Sequence, residues 1–217
     1  MGADQLTTRE RILRAAAALF REQGFSQASM RDLADRVGIH KSSLYHHFPS
    51  KQALLAEILE IAVERSYPAL EDIAESGAPA AQRLRQAVAN HVTELVADQD
   101  SVACFVEEGR YLDRRHMDLY IGKRDRYEGH FRRIIADGIR SGEFRQVNER
   151  LAGLAILGMC NAMARWWRPD GELGPKEIAV AFGDLAVQSV IAAAPGPSGF
   201  GQASPGPASG RSVRAEA

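Results

Sequence analysis

The chain has 217 residues, a formal net charge of -1 and 45% hydrophobic residues, enough for a small domain and a larger one with its own core. No run approaches about 20 uninterrupted apolar residues, and the N-terminus lacks the apolar segment of a signal peptide, so neither a membrane span nor secretion is expected. Cys104 and Cys160 each lie among apolar residues, which predicts reduced packing positions in a cytoplasmic protein; a redox-sensing pair is the alternative.

The first predicted helix follows an N-terminal arm of residues 1–7. Thr7 and Glu10 have the spacing of a capping box, and Gly24 suits the end of the helix. Between them, apolar residues recur at helical spacing: Ile12, Leu13, Ala16, Leu19 and Phe20. The helix therefore has one face to bury.

Residues 29–48 contain two short helical patterns separated by a glycine turn. Ser29 is a good N-cap with Asp32 three residues later, and Gly38 suits the left-handed residue that ends a helix. Two short helices joined in this way are typical of a helix-turn-helix motif, whose second helix enters the DNA major groove.

The second helix of this motif, residues 41–48, is expected to present a polar face to DNA. Leu44 and Phe48 lie four residues apart and anchor the helix to the core. The other side chains carry amino, hydroxyl, aromatic or imidazole groups and no carboxylate: Lys41, Ser42, Ser43, Tyr45, His46 and His47. Half-buried packing is the alternative for Tyr45. The adjacent histidines diverge by about 100° and are not expected to share a metal ion.

The first 51 residues carry a modest positive charge. They contain eight Lys or Arg residues against five Asp or Glu residues, in a chain whose net charge is -1. A basic end on a nearly neutral protein favours contact with phosphates.

The predicted fold class is all-α, with a DNA-binding domain over 8–66 and an effector-binding and dimerisation domain over 67–194. A fourth helix begins after Ser50, with an apolar stripe of Leu54, Leu55, Ile58, Leu59 and Ile61. Later helices are expected over 80–97, 100–109, 117–141, 148–167 and 175–193. The tail, 195–217, is rich in Pro, Gly, Ser and Ala and is predicted to be disordered.

The predicted helix 148–167 is apolar on nearly every side until Arg165. One face of such a helix is expected to meet a second copy of the chain, because a small domain rarely encloses a helix completely. Small residues would allow close approach: Ala152, Gly153, Gly158 and Ala162. Helix 175–193 would supply the rest of a four-helix homodimer interface through Ile178, Phe182, Leu185, Val187, Val190 and Ile191. Packing of both helices inside one monomer core is the alternative.

Aromatic and methionine side chains of the second domain are candidates for lining a ligand pocket. They are Phe105, Tyr111, Met117, Tyr120, Tyr127, Phe131, Met159, Met163 and Trp166. Large apolar groups with a few polar tips suit an apolar or amphipathic small molecule, whereas plain core packing is the alternative for each of them. An enzyme is not expected, because no nucleophile, base and orienting group occur at suggestive spacing. Neither a resident cofactor nor a metal is expected.

Residues near the start of the chain have the order and spacing of a known domain. They are Arg11-Ile12-Leu13, Ala16-Ala17, Leu19-Phe20, Gly24-Phe25, Arg31-Asp32-Leu33-Ala34, Gly38, and Leu44-Tyr45-His46-His47-Phe48 with Lys51. This set resembles the N-terminal domain of the TetR family of transcriptional regulators. The resemblance implies a homodimer, most often a repressor, that binds a palindromic operator and leaves the DNA when its C-terminal domain binds a ligand.

The same resemblance implies roles for individual residues in binding double-stranded DNA. The positions that match family contacts are Ser29, Arg31, Lys41, Ser42, Ser43, Tyr45, His47 and Lys51, while His46 occupies a position that varies. Arg31 would reach a base and Lys51 would clamp the DNA backbone; an ordinary solvated charge is the alternative for both. Lys41 can donate to guanine N7 and O6.

A second set of residues is similar to the C-terminal domain of TetR repressors of fatty-acid or steroid catabolism. It comprises Glu107-Glu108, Arg110-Tyr111, Tyr127, Gly138-Ile139, Gly142-Glu143-Phe144, and Trp166-Trp167-Arg168-Pro169 with Gly171. Several such repressors respond to acyl-coenzyme A thioesters, whose phosphates need cations. The candidates are Arg114, Arg115, Lys123, Arg124, Arg126, Arg132 and Arg133, and a solvated helix face explains them equally well. The alternative function is a helical small-molecule or acyl-thioester binding protein without operator binding.

Overall fold

A computed structural model describes residues 6–192, which fold into α-helices joined by short connections. The helices are α1 (Thr8–Gln23), α2 (Met30–Val37), α3 (Lys41–His47), α4 (Lys51–Glu75), α5 (Ala80–Ala97), α6 (Gln99–Glu107), α7 (Arg114–Ser141), α8 (Glu149–Trp166) and α9 (Pro175–Val190), with a 3₁₀ turn at Gly109–Tyr111. The all-α prediction is confirmed. The predicted disordered tail, 195–217, and most of the predicted arm lie outside the described residues.

Two reciprocal caps fix the starts of α1 and α2. The backbone N–H of Glu10 donates to Thr7 Oγ1, and Glu10 Oε2 accepts from the Thr7 N–H at 2.8 Å. Ser29 and Asp32 repeat this box at α2 with distances of 3.1 and 3.2 Å. Gly38 then ends α2 with φ of +75°, a left-handed conformation that a side chain would strain. These local signals explain why the helix pair forms where the sequence predicts it.

α1, α2, α3 and the first half of α4 enclose a small core. Its most buried side chains include Phe20, Leu33, Leu44 and Phe48, each at most 1% exposed. Burial of four such side chains contributes roughly 1.5–3 kcal/mol each relative to exposure, which offsets the ordering of short helices. The anchors predicted for α3 are thus in place.

α4 belongs to both halves of the molecule. Its first part contributes Leu54, Leu55, Ile58 and Leu59 to the small core, and its second part contributes Val63, Leu70 and Ala74 to the large one. Ile61, predicted in the same apolar stripe, is 39% exposed. The helix runs on through Pro68, so the expected boundary between residues 66 and 67 falls inside it.

The large core lies among α4, α5, α7, α8 and α9, with α5 packed against α9 and α4 against α7. α7 begins at Arg114, three residues before the predicted start, because Asp113 Oδ1 accepts from the His116 N–H at 3.0 Å and caps the helix. α9 ends at Val190 rather than at 193. There the chain extends, and Phe144 and Ile191 form an isolated antiparallel bridge.

α6 and the 3₁₀ turn connect the large domain to the DNA-binding domain. Cys104 Sγ donates to the Ala17 carbonyl at 3.4 Å, and the ring of Tyr111 stacks on Phe25 with centroids 5.6 Å apart. Gln52 Nε2 donates to the Tyr111 carbonyl at 2.7 Å, while its Oε1 accepts from the N–H of Asp113. A movement of α6 and the 3₁₀ turn would therefore displace the residues of α1 and α4 that they contact.

Both cysteines are free and buried, Cys104 in the small core and Cys160 in the large one. Burial raises the pKa of the Cys104 and Cys160 thiols to about 12, with Glu108 adding to the effect at Cys104. Thiols with so high a pKa are poor nucleophiles, which agrees with the predicted packing role. Within residues 6–192, no helix combines the length and the apolar character needed to cross a membrane.

Candidate nucleic-acid interface and effector pocket

α3 presents the polar face that the sequence predicts. Leu44 is fully buried, which turns Lys41, Ser42, Ser43 and His46 outward, and all four are exposed. Tyr45 is exposed as well, at 43%, whereas His47 is half-buried. The face carries no carboxylate, so nothing on it repels phosphate.

Lys41 and Tyr45 form a pair at the leading end of this face. The Nζ of Lys41 lies 5.7 Å from the centroid of the Tyr45 ring, four residues along the helix. The rings of His46 and His47 meet edge to face with centroids 6.0 Å apart. Among residues 6–192, no group of three or more His, Cys, Asp or Glu side chains has an arrangement that could hold a metal ion.

The two residues at α2 that are predicted to contact DNA differ in how freely their side chains can move. The hydroxyl of Ser29 is held in its capping box with Asp32, so only its outer surface is available to a phosphate. Arg31 is free to swing, since its side chain is 82% exposed and its Nε lies 3.9 Å from Asp35 Oδ2. That distance exceeds a hydrogen bond, and an exposed pair of this kind contributes little.

Three of the eight positive side chains in the first 51 residues are paired with carboxylates of the same chain. Arg9 pairs with Glu57, Arg21 with Asp100 and Arg36 with Glu22. Arg11 donates to the Val37 carbonyl at 3.1 Å. The charge that faces outward therefore comes from fewer residues than the sequence suggests, with Arg31 and Lys41 among them.

Lys51, predicted to clamp the DNA backbone, is engaged within the chain. Its Nζ donates to the carbonyls of Phe25 and Ala28, the latter at 2.8 Å, and lies 4.3 Å from the centroid of the Phe25 ring. Burial lowers the pKa of this ammonium group. Lys51 therefore has a structural role, because it holds the loop between α1 and α2 through these carbonyls.

We expect Lys51→Met to destabilise the protein by about 1–3 kcal/mol, because carbonyls at the loop lose a charged donor. Chemical denaturation should show this loss, and Lys41→Met, which removes the same charge from an exposed position, should leave the unfolding midpoint unchanged. Unaltered stability of Lys51→Met with weaker operator binding would instead support the phosphate contact.

An apolar cavity of about 380 Å³ lies between α4, α5, α6, α7 and α8. Of the nine predicted lining residues, Phe105, Tyr120 and Tyr127 are in its wall. Phe131 and Met163 are fully buried in the large core, and Met159 packs partly buried against it.

The other three predicted residues lie elsewhere. Tyr111 and Met117 pack against the small core at the contact between the domains, and Met117 also lines a cleft beside the cavity. Trp166 is 46% exposed on the outside of α8, with its ring 6.5 Å from that of Phe182.

A chain of polar side chains runs along the cavity wall and joins the predicted Tyr127 to two residues that were not predicted, His91 and Asn161. His91 Nδ1 lies 2.9 Å from the Tyr127 hydroxyl, and His91 Nε2 lies 3.0 Å from Asn161 Oδ1. Burial lowers the pKa of His91 to about 4, only partly opposed by the bond to Asn161, so the imidazole is neutral near pH 7. The available signal was Asn161, a polar residue in the apolar middle of α8, whereas α5 carries many polar residues and His91 does not stand out among them.

The neutral His91 makes stability depend on pH. Its folded pKa of about 4 lies below the ordinary 6.5, so unfolding takes up a proton, and stability is lost as pH falls from about 6.5 to 4. The loss is on the order of 3 kcal/mol. Urea titrations at pH 7.0, 5.5 and 4.5 should show it, and His91→Gln should flatten the curve. An unchanged pH profile in that variant would contradict the assignment.

A second cleft of about 540 Å³ adjoins the cavity and shares Val106, Tyr120 and Arg124 with it. Arg110 and Arg165 also line this cleft, and Arg165 pairs with Glu107 at 2.7 Å. The apolar cavity thus adjoins a mouth lined by three guanidinium groups and by the carboxylate of Glu107.

Of the cations proposed from the sequence, only Arg124 lines the cavity. Lys123 is paired with Glu60 and Glu64, Arg133 is paired with Glu75, and Arg126 lies over the ring of Tyr67. Arg110 and Arg165 were not among the candidates, because their proximity depends on how α6 and α8 pack.

The outer surfaces of α8 and α9 carry an apolar stripe that nothing in residues 6–192 covers. Its large members are Leu151, Leu154, Trp166, Val180 and Leu185, between 45% and 66% exposed. Gly158 and Ala162 lie within the stripe and are exposed, and Leu154 and Gly158 also line the cavity. Gly153 and Ala152 differ: Gly153 is buried against α7, and Ala152 packs on the core.

Half of the residues predicted for the α9 side of an interface are instead buried within the chain. Ile178, Val187 and Val190 are each at most 3% exposed and belong to the large core, where α9 packs on α5. Leu185 and Ile191 remain exposed, and Val180, at 66% exposure, joins them without having been predicted. Apolar residues occur on two faces of α9. Only the packing of the helix on α5 shows which face is buried and which is exposed.

Comparison with known proteins identifies both halves of the chain. Residues 12–58 match the family of bacterial regulatory proteins described as the tetR family, and residues 77–190 match the family described as tetracyclin repressor-like, C-terminal domain. The HTH-type transcriptional repressor KstR2 of Mycobacterium tuberculosis is 29% identical over 203 residues, which cover 87% of this chain and 98% of that protein.

Solved structures agree with these matches. The TetR family regulator PfmR from Thermus thermophilus is 36% identical, with a TM-score of 0.76 over 82% of this chain and 97% of its own. The structure of KstR2 of Mycobacterium tuberculosis is 25% identical with a TM-score of 0.80, covering 88% and 99% of the two chains. AibR, solved with isovaleryl coenzyme A and operator DNA, shares the fold at 22% identity and a TM-score of 0.75, covering 82% and 97%. This chain belongs to the TetR family of transcriptional regulators.

Proposed function

We propose that the protein is a homodimeric repressor that binds a palindromic operator through α3 and is released by an amphipathic effector. The observation that carries the proposal is the outward face of α3. Its hydroxyl, amino, aromatic and imidazole groups stand exposed over a buried Leu44, in a motif that matches the tetR family. Because its partner is chromosomal DNA, the proposal places the protein in the cytoplasm.

The direct contacts we propose are Ser42, Ser43, Tyr45, His46 and His47 on α3, with Lys41 at its leading end and Arg31 and Ser29 from α2. Lys41 and Arg31 suit guanine or phosphate, and hydroxyls suit phosphate. The internal bonds of Lys51 argue against including it. Two copies of α3 would need a spacing of about 34 Å, one turn of DNA, to meet successive major grooves.

The dimer we propose forms through the exposed stripe of α8 and α9. A contiguous apolar surface of this kind marks an interface in soluble proteins, and the exposed Gly158 and Ala162 permit close helix packing. Pairing of both helices with their copies would produce a four-helix interface around a two-fold axis.

For the effector we propose an amphipathic anion such as an acyl-coenzyme A. The apolar cavity suits its acyl part, and the mouth with Arg110, Arg124 and Arg165 suits its phosphates. AibR has been solved with isovaleryl coenzyme A, but at 22% identity that comparison bears on the fold alone. The effector class therefore depends on the chemistry of the cavity and its mouth.

The coupling we propose runs through α6. Val102, Phe105 and Val106 of this helix line the cavity, and Cys104 on its other side contacts α1. An effector that fits better when α6 is displaced would shift α1 and α4, and with them the separation of the two recognition helices. It changes DNA affinity only by its differential affinity for the two arrangements.

The test is binding of the purified protein to the DNA upstream of its own gene, followed by footprinting and fluorescence anisotropy. We expect a two-fold symmetric footprint and release by decanoyl-coenzyme A, with free coenzyme A and decanoate as matched controls. Binding of decanoyl-coenzyme A by a protein that protects no DNA would instead support a binding protein without operator recognition.

A further inference from the structure

Glu128 places a carboxylate inside the wall of the apolar cavity. The residue is 5% exposed, and its Oε1 has no hydrogen-bond partner within residues 6–192. Arg150 Nε lies 3.9 Å from that oxygen, beyond hydrogen-bond length. A buried carboxylate oxygen without a donor is unfavourable, so the site is incomplete without a group that donates to it.

The position of this atom separates it from other unsatisfied groups. Buried polar atoms of Arg83, Asn90 and Glu108 also lack partners in the described part of the chain, but none of these residues lines the cavity. Glu128 is the member of this set that belongs to the lining of the cavity.

The neighbouring polar groups are arranged for a polar substituent rather than for a plain hydrocarbon. His91, Tyr127 and Asn161 line the same cavity and bond to one another in a chain. A saturated chain placed there would cover Glu128 Oε1 without satisfying it. An effector with a donor at this point would be bound in preference, because it completes the pairing.

We infer that the apolar part of the effector carries a hydroxyl group that donates a hydrogen bond to Glu128 Oε1. The inference deepens the proposed function, on which it rests, by naming the chemistry of the acyl part. A hydroxyl fits better than an ammonium group, because Arg150, whose Nε lies 3.9 Å from Glu128 Oε1, already supplies positive charge near the carboxylate.

Three probes of similar size test this chemistry: 1-octanol, its isomer 1-methoxyheptane, which has no donor, and octylamine, which is cationic. Isothermal titration calorimetry without DNA should show 1-octanol binding about 10- to 100-fold more tightly than the ether, as expected for a hydrogen bond to a charged group. Octylamine should bind more weakly than 1-octanol. Glu128→Leu should abolish the preference for the alcohol, and Glu71→Leu, which removes an exposed carboxylate from α4, should keep it.

The melting temperature of the ligand-free variants separates this role from a structural one. If Glu128 serves only to hold α7 to α8 through Arg150, Glu128→Leu will melt at a lower temperature than the unmodified protein, which would contradict the inference. We expect an equal or higher melting temperature, since the variant removes an unsatisfied buried charge.

Different results would contradict this inference alone and the proposed effector site as a whole. Equal affinity for 1-octanol and the ether, tighter binding of octylamine, or an intact preference in Glu128→Leu would overturn this inference alone. Binding of none of the three probes would count against the cavity as an effector site, and so against both proposals.

Discussion

Ala162→Arg should convert the dimer into monomers and weaken operator binding by about 10²- to 10⁴-fold, the advantage that two linked sites have over one. Ala162 lies near the middle of the exposed stripe on α8 and lines neither the cavity nor its mouth. A long cation there would lie against apolar side chains of a second copy and would keep the two helices apart. Within a single chain the same side chain points to solvent and costs little.

Light scattering and analytical ultracentrifugation measure the mass, and fluorescence anisotropy measures the DNA affinity. Ala97→Arg is the matched control, because it places the same group at an exposed alanine at the end of α5, outside the stripe. Circular dichroism should show unchanged helicity in both variants. A dimeric Ala162→Arg protein with unaltered affinity would mean that the subunits associate elsewhere.

The double variant Lys41→Ala, Tyr45→Ala should lower operator affinity by at least about 100-fold while the dimer and its unfolding midpoint stay nearly the same. Each contact to a base or phosphate is worth about 1–3 kcal/mol, and a dimer loses each of them twice. Both side chains are exposed, and the ring contact between them contributes only about 0.5–1 kcal/mol to the fold.

Anisotropy at several salt concentrations should also show a shallower dependence on salt, because Lys41 no longer displaces a counterion. Arg133→Ala removes one positive charge from α7, where Arg133 pairs with Glu75, and should leave both the affinity and the salt slope unchanged. Full operator affinity in the double variant would show that another surface contacts the DNA.

Local signals made the helix-turn-helix predictable. The boxes at Thr7 and Ser29, the left-handed Gly38 and the four-residue spacing of Leu44 and Phe48 are all short-range features, and each is found as predicted. The end expected for α7 at 141 and the start expected for α8 at 148 also lie within one residue of those observed, where Gly142 and Asn148 cap the helices.

The cavity was harder to predict, because its wall comes from five helices. Tyr111 and Tyr120 look alike in sequence, yet one stacks on Phe25 and the other lies against the cavity. Aromatic character indicates burial, whereas membership of the wall depends on which helices leave a gap between them. Asn161 was a better signal, since it is a polar residue within the apolar stretch 151–164 of α8 and such a group needs a partner.

Pro68 lies within α4, just beyond the boundary expected between residues 66 and 67. Proline disfavours a helix interior, yet α4 continues through it because Val63 and Leu70, on either side, are both held in the large core. Tertiary packing here outweighs a local preference, which no reading of the residue alone would show.

The continuous α4 helix has a consequence for how the molecule can come apart. Cleavage at residue 66 would divide a helix whose two parts pack in different cores, and it would expose apolar side chains on each fragment. Unfolding of either half would remove contacts that stabilise α4 and therefore the other half. We therefore expect one thermal unfolding transition instead of two separate ones.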